Sequence, residues 1–299
     1  MDKKQVGMIG LGRMGGNIVS RLVNECEVIV WNRSKEPVQK AVALGAKEAP
    51  DVQALVAQLQ KPRIVWQMLP SGQVTEDMFQ TLLTLLEPGD VIIEGANSQF
   101  HDTQRRHQLA QEKQIHMIDV GVSGGILAKD SGYPLMAGGS PQAYKLVEPI
   151  FAACSRPGAY DLVGPAGAGH YVKMVHNAIE YGMMQAIAEG FDLLKEGSYD
   201  LDLVRVAKLW NHGTIVSSLL MEVTQKALEQ NIQSVAPFVQ DSGEGKWAAV
   251  EAMEHSVPFV VNTYALHARY LSRQQDSFAF KLLAGMRQQF GGHAIKQKD

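Results

Sequence analysis

The sequence predicts an α/β chain in two parts. A doubly wound, mostly parallel sheet forms the N-terminal part, and an all-α region forms the C-terminal part. Three observations carry this. Up to about residue 163, short apolar runs alternate with helical stretches. A glycine-rich turn, Gly10-Leu11-Gly12-Arg13-Met14-Gly15, follows the first apolar run. From residue 164 onward every periodic stretch has helical spacing. The expected domains are therefore 1–163 and 164–299.

Val6-Gly7-Met8-Ile9 is the first strand, a helix is expected over 17–23, and a second strand over 27–31. Strand, glycine turn, helix and strand in this order make a dinucleotide-binding (Rossmann) opening. Gly10 permits the tight turn, Gly12 lets the backbone approach a pyrophosphate, and Gly15 lets helix and strand pack closely. The helix N-terminus points its N–H groups and positive dipole end at the phosphates. Leu11, Arg13 and Met14 complete the loop and join the three glycines as expected cofactor contacts.

The end of the second strand bears on which cofactor is used. An NAD site usually carries a carboxylate there, bonding the ribose 2′-hydroxyl. This chain has Asn32-Arg33-Ser34-Lys35 instead. Asn32 can bond the ribose, Arg33 can fork onto a 2′-phosphate, and Ser34 and Lys35 complete a pocket without negative charge. NADP is favoured on this basis. NAD remains possible if Arg33 only stacks on the adenine.

Four more strands are expected over 64–69, 91–94, 116–120 and 134–137. Ligands of such sheets bind beyond the carboxyl ends of the strands. Leu69-Pro70-Ser71-Gly72, Gly95-Ala96-Asn97-Ser98 and Gly121-Val122-Ser123-Gly124-Gly125 all fall there. Leu69, Pro70 and Asn97 are assigned to the cofactor on that ground, and each turn is expected to face cofactor or substrate.

Helices are expected over 166–196, 201–210, 217–230, 242–254, 258–273 and 278–290, before a polar tail over 291–299. The first of them is long enough to link two domains. Lys173, His176, Asn177, Glu180 and Tyr181 form one polar stripe on it, amid Val172, Met174, Val175, Ile179, Met183, Met184 and Ile187. A surface helix shows the reverse balance, so this one is expected to be buried with its polar stripe turned to a cleft. Lys173 and Glu180 are separated by about 10 Å along the axis, at ~1.5 Å per residue. That is too long for an intrahelical ion pair and suits an amine and a carboxyl bracketing a small substrate. The bland alternative is a polar seam satisfied by another helix.

Composition narrows the classes. With 299 residues, 45% hydrophobic and 20% charged, the chain is ordinary for a globular protein. A net charge of −3 speaks against nucleic-acid binding. No run reaches the roughly 18 apolar residues of a membrane span, and with the first strand so early no signal peptide is expected. Cys26 and Cys154 are too few for a disulfide framework and read as packing residues of a cytoplasmic protein. The nine histidines show no metal-ligand spacing, so no metal is expected. The all-helical second part is expected to self-associate as a homodimer or homotetramer.

Several stretches carry a family resemblance. They are the glycine turn, Asp119-Val120-Gly121-Val122-Ser123-Gly124-Gly125, Pro134-Leu135-Met136-Ala137-Gly138-Gly139 and His170-Tyr171-Val172-Lys173-Met174-Val175-His176-Asn177. Glu180-Tyr181-Gly182-Met183-Met184-Gln185, Gly245-Lys246-Trp247, Ala268-Arg269-Tyr270-Leu271-Ser272 and Phe290-Gly291-Gly292-His293 extend them. Together they resemble the short form of decarboxylating 6-phosphogluconate dehydrogenase, of the β-hydroxyacid dehydrogenase superfamily.

That resemblance implies oxidation at C3 of 6-phosphogluconate, then loss of CO2 to give ribulose 5-phosphate. Lys173 matches the lysine that takes the C3 hydroxyl proton and, once protonated, polarises the new carbonyl. Glu180 matches the acid that protonates C1 of the enediol. Asn97, Ser123, Gly124, Gly125, His176 and Asn177 match positions that hold the sugar acid. Tyr181 and Arg269 match phosphate-binding positions, and Arg287 and His293 match a pair that reaches in from a neighbouring subunit. Lys246 matches a lysine near the nicotinamide or substrate. Two departures from the long form stand out: Ser242 replaces a phosphate-binding lysine, and Ile126-Leu127 replace acidic residues.

The rival reading is a 3-hydroxyisobutyrate-type dehydrogenase, or a semialdehyde or glyoxylate reductase. Those enzymes share the nucleotide domain and the lysine but have no use for Glu180, Tyr181, Arg287 and His293. A non-catalytic nucleotide sensor has no use for the Lys173/Glu180 pair. Pentose-phosphate and gluconate-utilising roles both fit.

Overall fold

A computed structural model describes residues 3–274, 276–291, 294 and 296, except for the side chains of Phe290 and Gly291. The chain divides into two compact units, Met1–His176 and Asn177–Asp299.

The first unit contains strands β1 (Gln5–Ile9), β2 (Glu27–Trp31), β3 (Lys47–Glu48), β4 (Ile64–Gln67), β5 (Val91–Glu94), β6 (His116–Val122), β7 (Leu135–Gly139) and β8 (Tyr160–Gly164). Interleaved with them are helices α1 (Arg13–Glu25), α2 (Lys35–Ala43), α3 (Val52–Gln58), α4 (Gln73–Leu85), α5 (Phe100–Glu112), α6 (Ala128–Ser131) and α7 (Pro141–Cys154). The strands form one sheet in the order β3-β2-β1-β4-β5-β6-β7-β8. All pairs are parallel except β6 with β7. Strand order reverses at β1, which lies between β2 and β4, and such a switch point opens a crevice at the strands' carboxyl ends.

Alternation along each strand sorts the core into two layers. Met8, Val30, Trp66, Ile93 and Ile118 pack on one face with Ile18, Leu22, Val147 and Phe151 from α1 and α7. Ile9, Ile29, Val65, Ile92 and Met117 pack on the other with Leu55, Phe79, Leu82 and Ala110 from α3, α4 and α5.

Helix α1 starts four residues before the expected position, because the glycine turn feeds directly into it. Strand β4 stops at Gln67, short of Pro70, which has no N–H to offer a ladder. Two edge strands were not legible. Strand β3 has two exposed polar residues, and β8 (Tyr160-Asp161-Leu162-Val163-Gly164) alternates half-buried and exposed positions without a fully buried residue. Cys26 and Cys154 are buried, and burial raises their thiols to about 11 and about 12 respectively, which suits the packing role read from the sequence.

Polar and charged side chains gather at the carboxyl ends of the central strands. Gln67, Glu94 and Asp119 occupy successive register positions on β4, β5 and β6, and all three are fully buried. Arg106, on α5, bonds Glu94 at 2.8 Å and Glu76 at 2.9 Å, and Arg105 bonds Glu76 at 2.6 Å. Arg105 holds the Glu76 carboxyl down at about 2 against partial burial, with Gln80 and Arg106 assisting. A depressed carboxylate stabilises the fold above its unfolded value of 4.5, and that contribution is lost as pH falls through about 2. Glu76→Gln is therefore expected to lower unfolding free energy by about 1–2 kcal/mol at neutral pH, discounted for solvent screening. Urea melts should show the deficit shrinking as pH falls from about 4.5 to about 2; a pH-independent deficit would contradict the assignment.

Among its described residues the second unit has helices as its only regular elements. Helix α8 (Ala168–Glu196) begins in the first unit and continues into it, followed by α9 (Leu203–Trp210), α10 (Leu219–Leu228), α11 (Glu244–Glu254), α12 (Val260–Leu271) and α13 (Phe278–Gly291). Asp202 and Ser218 cap α9 and α10 by accepting the N–H of Arg205 and Met221, so these helices start two residues later than periodicity suggests. One cluster gathers Tyr181, Ala249, Ala265 and Leu266; another gathers Phe191, Ala207 and Met221 with Trp210. Among the described residues no helix is long and apolar enough to cross a membrane.

One expectation is corrected. Helix α8 is not buried all round: Met174, Ala178 and Tyr181 are, but Ile179, Met183 and Met184 are 48%, 45% and 42% exposed. The core clusters of a single chain are too small to cover both flanks of a helix this long.

Candidate active site

The glycine turn has the geometry its spacing implies. Gly10 adopts φ +93°, and a Cβ there would lie 2.4 Å from the Met68 carbonyl oxygen. A Cβ on Gly15 would lie 2.0 Å from the Gly10 oxygen, so α1 meets the turn after β1 through backbone. Gly12 differs, because a Cβ there would meet nothing within 4 Å. Immediately after it α1 begins, with no side chain capping its N-terminus and no acidic residue in its first turn. Open space over Gly12 beside uncapped helix N–H groups fits a pyrophosphate.

Asn32 accepts the Leu11 N–H at 3.0 Å and donates to the Ser34 carbonyl at 3.0 Å. It thus ties the glycine turn to the end of β2, a structural task beside the ribose contact expected from sequence. Arg33 and Ser34 are exposed at that edge, as is Arg13 at the start of α1, with Met14 half-buried. Leu69 packs beside Gly10, and the Pro70 carbonyl accepts the Thr75 hydroxyl at 2.8 Å. Asn97 is exposed between buried Ala96 and Ser98, and the Ser98 hydroxyl bonds Glu94.

After β6, the Ser123 N–H bonds the Pro134 carbonyl at 2.9 Å, and its hydroxyl lies 3.5 Å from His176 Nε2. Gly124 adopts φ +95°, and a Cβ there would strike Ala128 at 2.4 Å. Gly125 (φ +53°) faces open space. Ile126 and Leu127 follow, both exposed. Lys173 is set against the same strand: a Cβ on Gly121 would lie 2.4 Å from Lys173 Cβ. Only glycine at that position lets the lysine stem lie on β6.

In the second unit, Asn177 donates to Glu244 Oε1 at 2.7 Å. Glu244 is 2% exposed and opens α11 after Gly243 in the left-handed region. Sequence reasoning missed Glu244; its signal was an acidic residue at a helix start two positions before Lys246. Lys246 itself is exposed on α11. Tyr181 is buried, with the Arg269 guanidinium 3.6 Å above its ring centre. The Tyr181 hydroxyl accepts the Ser242 N–H at 3.3 Å, and Arg269 donates to the Gln240 carbonyl at 2.8 Å. Tyr181, Ser242 and Arg269 are thus brought together. Glu180 is half-buried on α8, Arg287 is exposed on α13, and His293 lies outside the described residues.

Comparisons with known proteins identify the family of both parts of the chain. The family model for the NAD binding domain of 6-phosphogluconate dehydrogenase matches residues 5–164, and that for the 6-phosphogluconate dehydrogenase C-terminal domain matches 169–281. The NAD(+)-dependent, decarboxylating 6-phosphogluconate dehydrogenase of Haloferax volcanii is 38% identical over 300 residues, covering 99% of each chain. A Bacillus subtilis protein of the same name is 35% identical over 301 residues, covering 94% of this chain and 64% of its own length. Among solved structures, Plasmodium falciparum 6-phosphogluconate dehydrogenase, described apo, with NADP+ and with 6-phosphogluconate, superimposes with a TM-score of 0.84 at 30% identity. That match covers 99% of this chain and 67% of the other. On the strength of both family models and the full-length relative, the chain belongs to the 6-phosphogluconate dehydrogenase family of the β-hydroxyacid dehydrogenase superfamily.

Proposed function

We propose that this chain catalyses the oxidative decarboxylation of 6-phosphogluconate to ribulose 5-phosphate and CO2, with NADP preferred over NAD. The observation that carries the reading is the residue set of α8. The helix presents the Lys173 amine and the Glu180 carboxyl two turns apart, and its Tyr181 packs under the Arg269 guanidinium. An amine, an acid and a cation suited to a phosphate match this reaction better than oxidation of an unphosphorylated hydroxyacid.

Gly10, Leu11, Gly12, Arg13, Met14, Gly15, Asn32, Arg33, Ser34, Leu69, Pro70, Asn97 and Lys246 would hold the dinucleotide. When bound, NAD(P) supplies the acceptor for the hydride of C3. Lys173, neutral, takes the C3 hydroxyl proton. As an ammonium it then bonds the new carbonyl oxygen and draws electron density from the C1–C2 bond as CO2 leaves. Glu180 delivers a proton to C1 of the five-carbon enediol as the C2 hydroxyl gives its proton back to Lys173, completing ribulose 5-phosphate. Asn97, Ser123, Gly124, Gly125, His176 and Asn177 orient the sugar acid, with Glu244 holding the Asn177 amide in place. Tyr181 and Arg269 take the phosphate.

We infer further that 1–163 serves the cofactor and 164–299 the substrate and self-association, in a cytoplasmic homodimer or homotetramer. Arg287 and His293 would complete the phosphate site of a neighbouring copy. Exposed apolar residues on the helices of the second unit support this: Val260 and Val261 are 75% and 70% exposed, and Phe278 is 76% exposed.

A substrate panel tests the reading. Turnover per unit KM with 6-phosphogluconate should exceed that with gluconate and 3-hydroxyisobutyrate by at least about 10³-fold, as expected when buried groups await a missing partner. Parity would remove the phosphate role. Arg33→Ala should raise the KM for NADP by about tenfold or more and that for NAD by under about threefold, the loss of a charge-assisted fork. Equal losses would sink the 2′-phosphate assignment.

A further inference from the structure

The start of α8 is held by a carboxylate from far away in the sequence. Asp119, on β6, is fully buried. Its Oδ1 accepts the Gly167 N–H at 2.8 Å and His107 Nε2 at 3.0 Å; its Oδ2 accepts the His170 N–H at 2.9 Å. Gly167 and His170 flank the first turn of α8, where N–H groups have no partner within the helix. A carboxylate there serves as the helix's cap and complements its dipole.

The surroundings leave no slack. Thr103, one turn before His107 on α5, bonds His170 Nδ1 at 2.8 Å. A Cβ on Gly138 would lie 2.6 Å from Asp119 Oδ1, and one on Gly169 would lie 2.5 Å from the Met136 oxygen. The first turn of α8 therefore rests on the backbone of β6 and β7 with no side chain between. Burial alone would raise the Asp119 carboxyl, but the His107 hydrogen bond, the charges of His170 and His107 and the His170 N–H together hold it below the usual range. It stays an anion in a dry site, which makes its hydrogen bonds strong.

Lys173 follows His170 by three residues, and its stem lies on Gly121, two positions beyond Asp119 on the same face of β6. Strand β6 thus fixes the helix at two points, by charge at Asp119 and by close contact at Gly121. We propose that Asp119 is a positioning residue for Lys173, clamping the N-terminus of α8 so that the amine is held in register with the turn Ser123-Gly124-Gly125. The proposal rests on the reading of Lys173 as the reacting amine.

The test is Asp119→Asn in the full chain. Asparagine keeps the shape but replaces one acceptor oxygen with an NH2 that cannot accept. Hydrogen exchange should accelerate by about tenfold or more over 167–173 while 116–118 is unchanged, as expected of local opening. With 6-phosphogluconate, kcat should fall by about 100-fold with both KM values within about threefold, the effect of a misplacement of order 1 Å. His107→Gln, which spares both backbone bonds, should keep kcat within about threefold of wild type, so a fall as large as that of Asp119→Asn would overturn the proposal. If the asparagine variant does not fold, native-state exchange of the wild type decides. Gly167 and His170 amides as protected as β6 support the clamp, and unprotected ones overturn it. Turnover by the wild type with unchanged kcat or unchanged exchange in Asp119→Asn overturns the clamp alone. No turnover by the wild type overturns the functional reading, and with it the catalytic consequence given to Asp119.

Discussion

Lys173→Ala is expected to lower kcat with 6-phosphogluconate by about 10³-fold or more while leaving NADP affinity within about twofold. Positioned acid–base groups contribute on the order of 10²–10⁴, and this lysine is given two such tasks in succession. The proposed cofactor contacts belong to the glycine turn, the end of β2, the turns after β4 and β5, and Lys246 on α11, and none is Lys173, so the loss should fall on chemistry. Because the lysine stem packs on Gly121, part of any loss could come from altered packing of α8. Lys173→Met keeps the stem and removes the amine, so it separates the two causes. It should be as inactive as the alanine variant. Steady-state kinetics and calorimetric titration of NADP check both. Retained turnover in the methionine variant would mean that another group takes the proton.

Glu180→Gln should lower kcat by about 10²–10³-fold with little change in KM, and it should do so at a different step. Glutamine keeps the shape of the side chain but has no proton to deliver to the enediol. Oxidation and loss of CO2 precede that step, so a rapid-mixing trace should show about one equivalent of reduced cofactor formed quickly, then slow turnover. The lysine variants should show no such burst. Normal turnover in Glu180→Gln would remove Glu180 as the acid.

The parts of the fold that were legible are those with strong period or punctuation. Strands β1, β2, β5 and β6 are apolar runs ended by glycine or polar turns, and the three glycines of the first turn announce both its sharpness and its openness. Helix α8 was legible in extent because 29 residues keep one period with no proline among them. Its burial was misjudged, since periodicity reports which residues share a face and not how much of that face one chain can cover. Strands β3 and β8 were missed because edge strands do not need apolar alternation. Of the candidate site, Lys173, Glu180, Asn177, Tyr181 and Arg269 were marked by type, spacing and resemblance. Glu244 and Asp119 were not assigned, because each acts through a partner 67 and 48 residues away respectively, a distance no local pattern reveals. The stacking of Arg269 on Tyr181 is non-local in the same way.

The most direct measurement uses 6-phosphogluconate carrying ¹³C at C1, with NADP and NAD in parallel. Reduced cofactor and labelled CO2 are counted, and the sugar product is identified by NMR. One labelled CO2 for each reduced cofactor, unlabelled ribulose 5-phosphate and a faster reaction with NADP are the predicted results. Reduced cofactor without CO2, or oxidation of 3-hydroxyisobutyrate with no reaction of the phosphorylated sugar acid, would contradict the proposed activity.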